Sequence, residues 1–571
     1  MCGDKDHTGQ GYEYLHIHNE KSLILNLRKQ LEILNNYQFT DSEWDRFFKQ
    51  SIAPSDEGIV EKSRRIQTDH IQNLKRDDGT TKNIILLDKK NIHKNRTQVI
   101  NQYVADEGTY KNRYDVTILV NGLPLVHVEL KRRGVPLKEA FNQINRYQND
   151  SFWSGCGLFE YVQIFVISNG TNTKYYSNTT REGHLREINE STRRRGRKTS
   201  NSFEFTSFWA DGKNRIIPDL VDFTKTFFSR HVLLSILARY CVFTSEDLLL
   251  VMRPYQIAAT ERILNRIEVS TNYKKMGSLD AGGYIWHTTG SGKTLTSFKT
   301  AQLASRLSYI DKVIFVVDRK DLDYQTMKEY DRFEKGAANG NNSTTILTRQ
   351  LGDPNARIIV TTIQKLEIFV KKNKEHEIYN KHVVLIFDEC HRSQFGEMHR
   401  LITKGFKKYH LFGFTGTPIF TVNSISSKDP TLRTTQDAFG DRLHTYTIIN
   451  AINDENVLPF NVDYVKTIRA ADDISDEPVP GIETEGIMLS PERVSMVTKY
   501  ILDHYDQKTF AGTAYKYKGR TISGFNSIFA VSSISAAKAY YCEFKKQLIG
   551  TGRRLRVVTI YSYAANGDDQ G

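Results

Sequence analysis

The strongest constraint on the fold is a glycine-rich segment, Gly290-Ser-Gly-Lys-Thr294, that stands between an apolar run and an amphipathic stretch. The apolar run Tyr284-Ile-Trp286 predicts a buried strand, and the residues after Thr294 predict a helix. In a strand, loop and helix of this kind, glycines let backbone amides wrap around phosphate oxygens at the helix N-terminus. The segment therefore predicts a nucleotide-binding site inside an α/β domain.

The loop residues have distinct expected tasks. Lys293 reaches the outer phosphates of ATP, and the Thr294 hydroxyl is a ligand for Mg²⁺. The usual first glycine of the pattern is absent, because His287 stands five residues before Gly292. The expected ATP-contacting residues of the loop are Thr289, Gly290, Ser291, Gly292, Lys293 and Thr294.

Two adjacent acids, Asp388 and Glu389, end the apolar run Val383-Val-Leu-Ile-Phe387. Adjacent carboxylates at the end of a buried strand are costly without a cation. We therefore expect Asp388 to hold the Mg²⁺ ion that bridges two phosphates, and Glu389 to orient the water that attacks in phosphoryl transfer. The alternative is a surface turn that follows a core strand.

Apolar runs and helical stretches alternate between residues 283 and 417, and each run is long enough for a fully buried parallel strand. This alternation predicts a doubly wound sheet. The expected strands are Tyr284–Trp286, Val313–Val317, Ile358–Thr362, Val383–Phe387 and Leu411–Phe414.

A second acidic cluster lies upstream, in a predicted hairpin. Glu129 and Lys131 are two residues apart on a strand, so both side chains project from one face. Asp115 joins them only through an odd-length turn or a bulge, because a two- or four-residue turn directs Asp115 away from Glu129. We expect Asn121-Gly-Leu123 to form a three-residue turn that brings Asp115 opposite Glu129.

With that geometry, the Asp115 and Glu129 carboxylates bind one or two Mg²⁺ ions, and Lys131 positions or activates the water that attacks a phosphodiester. The alternative is an exposed hairpin with ordinary surface charges. Gln143 and Tyr147 lie four residues apart on a predicted helix, Leu137 to Asn149, so they share one side and brace the site or contact a phosphate.

Composition adds weaker information. Lys and Arg number 79 against 66 Asp and Glu, a net charge of +13 that favours a polyanionic partner. The basic stretch Glu187 to Ser202 is expected to be an exposed loop, either facing a nucleic-acid groove or only solvated. The five cysteines form no Cys-x-x-Cys pair, and no apolar run approaches the roughly 20 residues that cross a bilayer. These features indicate a reduced, cytoplasmic protein.

The motifs resemble two known families. His287-Thr-Thr-Gly-Ser-Gly-Lys-Thr294 and Asp388-Glu-Cys-His391 are similar to superfamily-two helicases of the DEAH type, over about residues 250 to 571. That resemblance implies that Gln256 contacts adenine. The upstream set of Asp115 with Glu129-Leu-Lys131 resembles the PD-(D/E)xK nucleases.

With Gln143 and Tyr147 added, the chain resembles the motor and cleavage (R) subunit of type I restriction enzymes, and the order of its motifs matches as well. The resemblance implies ATP-dependent translocation of double-stranded DNA and Mg²⁺-dependent endonucleolytic double-strand cleavage, with modification (M) and specificity (S) subunits as partners. The implied catalytic residues are Asp115, Glu129, Lys131, Gln143, Tyr147 and Glu389.

The expected class is therefore α/β, in three parts. A PD-(D/E)xK nuclease domain spans residues 1–235, and its first 110 residues or so are expected to be helical and polar, with a packing helix that starts near Asn19. A RecA-like doubly wound helicase lobe spans 236–455. An incomplete second RecA-like lobe spans 456–571, after a charged linker near Arg469 to Pro491.

Three rival functions remain open at this point. A helicase-nuclease of DNA repair would cut exonucleolytically, and so would leave covalently closed circular DNA intact. A remodeller or RNA helicase would bind without cutting, and the change Glu129→Ala would leave its behaviour unaltered. A truncated, inactive R subunit would still bind ATP and DNA.

In the resembled family the second motor lobe continues through two further motifs, the last of which supplies an arginine to the γ-phosphate. The sequence stops at Gly571 before them. We therefore expect the 571-residue polypeptide to bind ATP but to hydrolyse it and translocate poorly. A DNA-stimulated ATP turnover assay measures this, and motor rates like those of the intact family enzymes would contradict it.

Overall fold

The computed structural model describes residues 1–3, 9–105, 112–152, 154–178, 203, 206–317, 320–333, 336, 339–340, 343–390, 400–401, 404–421, 434–465, 489–517, 520–552 and 555–560. The chain divides into two compact units, Met1–Pro459 and Phe460–Gly571. Within the described part of the chain, no helix is both long enough and apolar enough to cross a membrane.

The described part of the first unit contains both helices and strands. Its helices are α1 (Glu20–Asn35), α2 (Asp41–Phe47), α3 (Ile59–Gln67), α4 (Leu137–Asp150), α5 (Leu220–Thr226), α6 (Arg230–Ser235), α7 (Pro254–Asn272), α8 (Lys293–Ser305), α9 (Lys320–Phe333), α10 (Thr344–Gly352), α11 (Ile363–Lys372), α12 (Thr435–Phe439) and α13 (Ile448–Asn453). Its strands are β1 (Glu13–Tyr14), β2 (Ile71–Lys75), β3 (Thr81–Ile85), β4 (Thr97–Ala105), β5 (Asn112–Val120), β6 (Leu123–Leu130), β7 (Ile164–Ser168), β8 (Thr173–Ser177), β9 (Ser207–Phe208), β10 (Cys241–Phe243), β11 (Leu249–Val251), β12 (Gly283–His287), β13 (Lys312–Val317), β14 (Ile358–Thr362), β15 (His382–Phe387), β16 (Lys408–Thr415) and β17 (Arg442–Tyr446).

The amino-terminal half is built on a seven-stranded mixed sheet of order β1-β4-β5-β6-β7-β8-β9. Strands β6 and β7 are parallel, and α4 forms the crossover between them. The expected packing helix is confirmed as α1, which begins after Asn19, whose side chain accepts a hydrogen bond from the Ser22 amide at 2.9 Å. This helix buries the apolar side chains of Leu23, Leu27 and Leu31.

The expectation that the first 110 residues are helical is wrong in part. Strands β2 and β3 pair as an antiparallel hairpin in this region. Strand β4 is nine residues long and lies between β1 and β5 in the main sheet. Because its neighbours come from both earlier and later in the chain, its sheet position depends on long-range pairing that local sequence does not reveal.

The hairpin β5–β6 has the expected pairing of Asp115 opposite Glu129, but its turn differs from the expected one. Its turn is the two-residue Asn121-Gly122, both with positive φ (52° and 82°), and not the expected three-residue turn. Leu119 pairs with Pro124 and Ile118 pairs with Val126, so Leu125 is an unpaired extra residue, a β-bulge. The bulge supplies the one-residue offset that the longer turn was expected to supply.

The carboxyl-terminal half of the first unit is a doubly wound parallel sheet of order β14-β13-β15-β16-β12-β17. All five expected strands are present, as β12 to β16. The sixth strand, β17, is an addition that we did not expect. It pairs in parallel with β12 at the edge of the sheet. Separate apolar clusters cover the two faces of this sheet.

Side chains from elsewhere in the first unit reach the outer edge of β17. The Asn214 side-chain amide donates to the Thr445 carbonyl at 2.6 Å. The Arg262 guanidinium donates to the Leu443 carbonyl at 2.5 Å and to the Gly212 carbonyl at 2.8 Å. The outer edge of the parallel sheet is thus hydrogen-bonded to α7 and to the segment that follows β9.

Among its described residues, the second unit contains two helices, α14 (Pro491–Lys508) and α15 (Ile534–Leu548), and a hairpin of β18 (Ala514–Tyr517) and β19 (Arg520–Ser523). The two helices pack through a small core that includes Leu502. The expected linker falls mostly, at 466–488, outside the described residues. The basic stretch 187–202 is also outside them.

Gly122 offers a test of how the hairpin packs. A Cβ built on Gly122 would lie 2.6 Å from the Leu27 Cα in α1, whereas one built on Gly79, which has the same φ of 82°, meets nothing within 4 Å. We expect G79A to lower the free energy of unfolding by about 1 kcal/mol through backbone strain alone, and G122A by about 3 kcal/mol through strain and overpacking. Urea denaturation of both variants measures the difference, and equal losses would contradict the packing argument.

Candidate functional site

The β5–β6 register places the expected nuclease residues together. Val116 pairs with Val128, which puts Asp115 opposite Glu129 on the same face of the sheet. An Asp115 carboxylate oxygen accepts a hydrogen bond from the Leu130 amide at 2.9 Å. Lys131 Nζ donates to Glu129 Oε1 at 2.8 Å. Two carboxylates and one ammonium group therefore converge at the end of β6.

Gln143 and Tyr147 extend this cluster from helix α4. Lys131 Nζ donates to Gln143 Oε1, and the Gln143 amide donates to the Tyr147 hydroxyl. The Tyr147 hydroxyl in turn donates to the Arg113 carbonyl at 3.1 Å, on β5. Four of the five expected nuclease residues thus form one hydrogen-bonded network, and Asp115 lies beside it, bonded to the Leu130 amide between Glu129 and Lys131. It opens into a recess of about 390 Å³ lined by Lys131 and Gln143.

Burial sets the electrostatics of this network. The Glu129 side chain is 0% exposed, and its partner Lys131 is 19% exposed. Burial, and next the nearby Glu129 charge, raise the pKa of Asp115. The same two causes raise the pKa of Tyr147 to about 12, so the hydroxyl stays protonated. The site therefore concentrates negative charge where solvent cannot screen it.

The donor set fits a divalent cation. Glu129 Oε2 is buried and accepts no hydrogen bond within the described residues, although Oε1 of the same carboxylate is paired. A buried carboxylate oxygen without a donor is costly, and a bound cation removes that cost. Among the described residues, however, no group of three or more His, Cys, Asp or Glu side chains could hold a metal ion. Asp115 and Glu129 would need backbone carbonyls or water to complete a coordination shell.

The second site is the loop between β12 and α8. Gly290 and Gly292 have φ of 80° and 76°, the left-handed backbone that lets the loop turn back on itself. Lys293 is the first residue of α8, and its Nζ lies 3.2 Å from Glu389 Oε1. Thr294 is the next residue of that helix. The loop thus lies against the acidic pair that ends β15.

Asp388 and Glu389 are held in an unusual backbone arrangement. Asp388 Oδ1 accepts from the Glu389 amide at 3.0 Å, and Glu389 has a φ of 47°, which is rare for a residue with a side chain. Burial, and next the Glu389 charge, raise the pKa of Asp388 to about 6. Strain and desolvation of this kind cluster at functional sites.

Gln256 contacts the loop backbone. Its amide donates to the Ser291 carbonyl at 3.0 Å, and its oxygen accepts from the Arg253 amide at 2.9 Å. The Tyr255 hydroxyl donates to the same Ser291 carbonyl at 2.8 Å. Gln256 therefore holds the backbone of the loop between β12 and α8.

Two features were not anticipated from the sequence. His287, at the position of the missing glycine, ends β12 and bonds through Nε2 to Nδ1 of His444 at 2.9 Å. Burial, and next His444, lower the pKa of His287 well below its usual value. His127, on the same strand as Glu129, has its Nε2 3.5 Å from Glu129 Oε2.

His391, the last residue of the acidic motif, lies outside the described residues.

Comparison with known proteins identifies the family. Residues 4–184 match the family described as type I restriction enzyme R protein N terminus, residues 255–485 match the SWI2/SNF2 ATPase family, and residues 523–571 match type I restriction enzyme subunit R domain 3. The type I restriction enzyme EcoprrI endonuclease subunit of Escherichia coli is 51% identical over 267 residues, which cover 80% of that protein and 47% of this chain. The chain belongs to the family of type I restriction enzyme endonuclease subunits.

Longer relatives extend the match over nearly the whole chain. The type I restriction enzyme SsaAORF53P endonuclease subunit of Staphylococcus saprophyticus is 42% identical over 566 residues, 97% of this chain. The SauMSSORF170P endonuclease subunit of Staphylococcus aureus is 41% identical over 570 residues, 98% of this chain. The chain spans 55% and 56% of these two relatives. The expected order of a nuclease region followed by a helicase-like ATPase region is confirmed.

The loop contacts of Gln256 predict how its removal acts. If Gln256 serves mainly to hold the loop, Gln256→Ala weakens binding of ATP and GTP alike, by about tenfold, which is the loss of one or two hydrogen bonds. If Gln256 serves mainly to read adenine, ATP binding falls and GTP binding does not. We expect the first result. Titration of the endonuclease subunit with fluorescent ATP and GTP analogues measures both affinities, and loss confined to ATP would contradict the structural role.

Proposed function

We propose that this chain is the ATP-dependent motor and cleavage part of a type I restriction enzyme, which translocates double-stranded DNA and cuts both strands endonucleolytically. The observation that carries the proposal is that two clusters of acids and lysine, Asp115 with Glu129 and Lys131, and Lys293 with Glu389 next to Asp388, lie in one compact unit. Membership of the restriction endonuclease family supports it.

We assign the two activities to separate parts of the chain. The nuclease is assigned to residues 1–235, the first RecA-like lobe to 236–455 and the start of the second lobe to 456–571. The apolar core of the seven-stranded sheet supports the first assignment, because most of its buried residues lie between Tyr12 and Leu234, and the few later ones, from Ile236 to Leu249, come directly after that range. The clusters on the two faces of the parallel sheet support the second, since they lie between Val242 and Leu443.

In the proposed cleavage step, Mg²⁺ bound to Asp115 and Glu129 would supply a Lewis acid and an activated water at the scissile phosphate. Lys131 holds one Glu129 oxygen through its 2.8 Å hydrogen bond and leaves the second oxygen for the ion. The ammonium group also opposes the charge that builds up on the phosphate. Gln143 and Tyr147 fix the position of Lys131 from helix α4.

In the proposed motor step, the amides of Thr289 to Thr294 and the Lys293 ammonium group contact the ATP phosphates, while the Thr294 hydroxyl and Asp388 hold Mg²⁺. Glu389 orients the attacking water. The 3.2 Å pair of Lys293 and Glu389 supports this, because phosphate oxygens would compete with Glu389 for the same ammonium group. ATP binding would thereby release the Glu389 carboxylate toward the water.

The proposed partners follow from the family. Double-stranded DNA is the substrate, and the modification and specificity subunits of the type I complex choose where the enzyme engages it. The net charge of +13 supports a polyanionic substrate.

The two sites are separable by substitution. We expect Glu129→Ala to reduce cleavage of covalently closed circular DNA by more than about a hundredfold, because it removes a metal ligand, and to leave ATP affinity unchanged. We expect Lys293→Ala to lower ATP affinity at least about tenfold and to stop the ATP-dependent cleavage. Agarose gel analysis and ATP titration, with modification and specificity subunits present, measure both.

Glu139→Ala is the matched control for the nuclease substitution. Glu139 lines the same recess as Lys131 but takes no part in the network. We expect this variant to cleave at the unmodified rate. Cleavage that survives Glu129→Ala, or that fails equally in Glu139→Ala, would contradict the assignment. The cleavage assays use the endonuclease subunit extended to the length of its relatives, because the 571-residue chain alone is expected to translocate poorly. If that longer subunit without substitutions leaves the circle intact, the proposed function itself is contradicted.

A further inference from the structure

His127 lies directly beneath the proposed nuclease site. It stands two residues before Glu129 on β6, so the two side chains share one face of the sheet. Both side chains are 0% exposed, and His127 Nε2 lies 3.5 Å from Glu129 Oε2. Each of these two atoms is buried and lacks a hydrogen bond within the described part of the chain. A buried ring nitrogen and a buried carboxylate oxygen therefore face each other.

The surroundings of His127 limit what it can bond. Four aromatic rings approach the imidazole edge-on, at centroid distances of 5.5 to 6.4 Å, and they belong to Tyr114, Tyr147, Phe152 and Phe165. On the polar side, the structure shows two neighbours for the ring nitrogens, Thr117 for Nδ1 and Glu129 for Nε2. The imidazole thus bridges an aromatic cage and the carboxylate.

The Glu129 carboxylate only accepts hydrogen bonds, so it favours the ring proton on the facing Nε2, and Thr117 is compatible with that tautomer. Thr117 is the cross-strand partner of His127, and its hydroxyl oxygen lies 3.4 Å from His127 Nδ1. A threonine hydroxyl that donates to Nδ1 leaves the ring proton on Nε2. In that tautomer the Nε2–H points at Glu129 Oε2. A movement of about half an ångström brings the pair to ordinary hydrogen-bond length.

We propose that His127 is a positioning residue for the Glu129 carboxylate, and that its Nε2–H holds Oε2 in the orientation that receives the divalent cation. The proposal rests on the proposed nuclease function. Lys131 fixes Oε1 of the same carboxylate, so the two donors together define the carboxylate plane. Partners that orient a metal ligand in this way contribute about 10- to 100-fold to metal affinity.

A pair of variants separates the donor from the bulk of the side chain. In His127→Gln the amide reaches about as far as Nε2 and keeps a donor, whereas in His127→Asn the amide is one methylene shorter and does not reach Glu129. We expect His127→Asn to bind Mn²⁺ about 10- to 100-fold more weakly and His127→Gln to retain most of the affinity. Electron paramagnetic resonance of free Mn²⁺, with the full chain and without ATP or DNA, measures the affinities.

Glu129→Ala defines which Mn²⁺ belongs to this site. If Glu129→Ala leaves Mn²⁺ binding unchanged, the nuclease assignment fails and the proposal for His127 fails with it. If Glu129→Ala removes a bound ion but His127→Asn binds that ion with unmodified affinity, the role of His127 alone is overturned. Equal weakening in the Asn and Gln variants would also overturn it, since only the donor position distinguishes them.

Cleavage provides a second readout. A positioning role predicts that His127→Asn needs more Mn²⁺ for half-maximal cleavage but reaches nearly the unmodified rate at saturating Mn²⁺. A lower rate that added Mn²⁺ does not restore would contradict that role. Circular dichroism checks that the variants fold. Should His127→Asn fail to fold, His127→Phe takes its place, because a ring fits the aromatic cage and carries no donor.

Discussion

The register of one hairpin determines whether Asp115 and Glu129 lie together in the proposed nuclease site. A regular two-residue turn would pair Asp115 with residue 128, and Glu129 would then project from the opposite face. The extra residue Leu125 shifts the pairing by one position and puts both acids on the same face. The turn of this hairpin is fixed by packing, because α1 lies so close to Gly122 that no side chain fits there. The packing of α1 on the turn, away from Asp115 and Glu129, thus affects how these two acids are placed.

The two proposed phosphate sites stabilise buried carboxylates in the same way. Each places carboxylates at the end of a buried strand, where desolvation raises the pKa of Asp115 in one site and of Asp388 in the other. Each has a lysine that contacts one acid, Lys131 in the first site and Lys293 in the second. The lysine offsets part of the charge, and the remainder is the basis of the cation binding that we propose for each site.

The sequence predicted the parts of the fold that short-range pattern controls. Runs of β-branched and aromatic residues identify the buried strands β12 to β16, and the four-residue spacing of Gln143 and Tyr147 places both on one side of α4. Pairing across long distances was harder to predict. Strand β17, Arg-Leu-His-Thr-Tyr, contains no continuous apolar run, and β4 pairs on one side with β1, which lies far earlier in the chain.

The site residues also divide into those that short-range spacing predicts and those that depend on long-range contacts. The expected nuclease residues lie together, because local spacing brings four of them into one network and the hairpin adds Asp115 beside it. Their catalytic roles stay predictions. His127 could have been noticed from its position two residues before Glu129, which places it on the same face. The bond from His287 to His444 had no such signal, since it joins residues 157 positions apart.

The capped edge of β17 has a consequence for solubility during folding. An exposed outer strand offers its free carbonyls as a template on which another polypeptide can add a strand, and such addition leads to aggregation. Here Asn214 and Arg262 occupy the carbonyls of Thr445 and Leu443 on that edge. The parallel sheet is therefore protected from self-association at its β17 edge once the segment around Asn214 has packed against it.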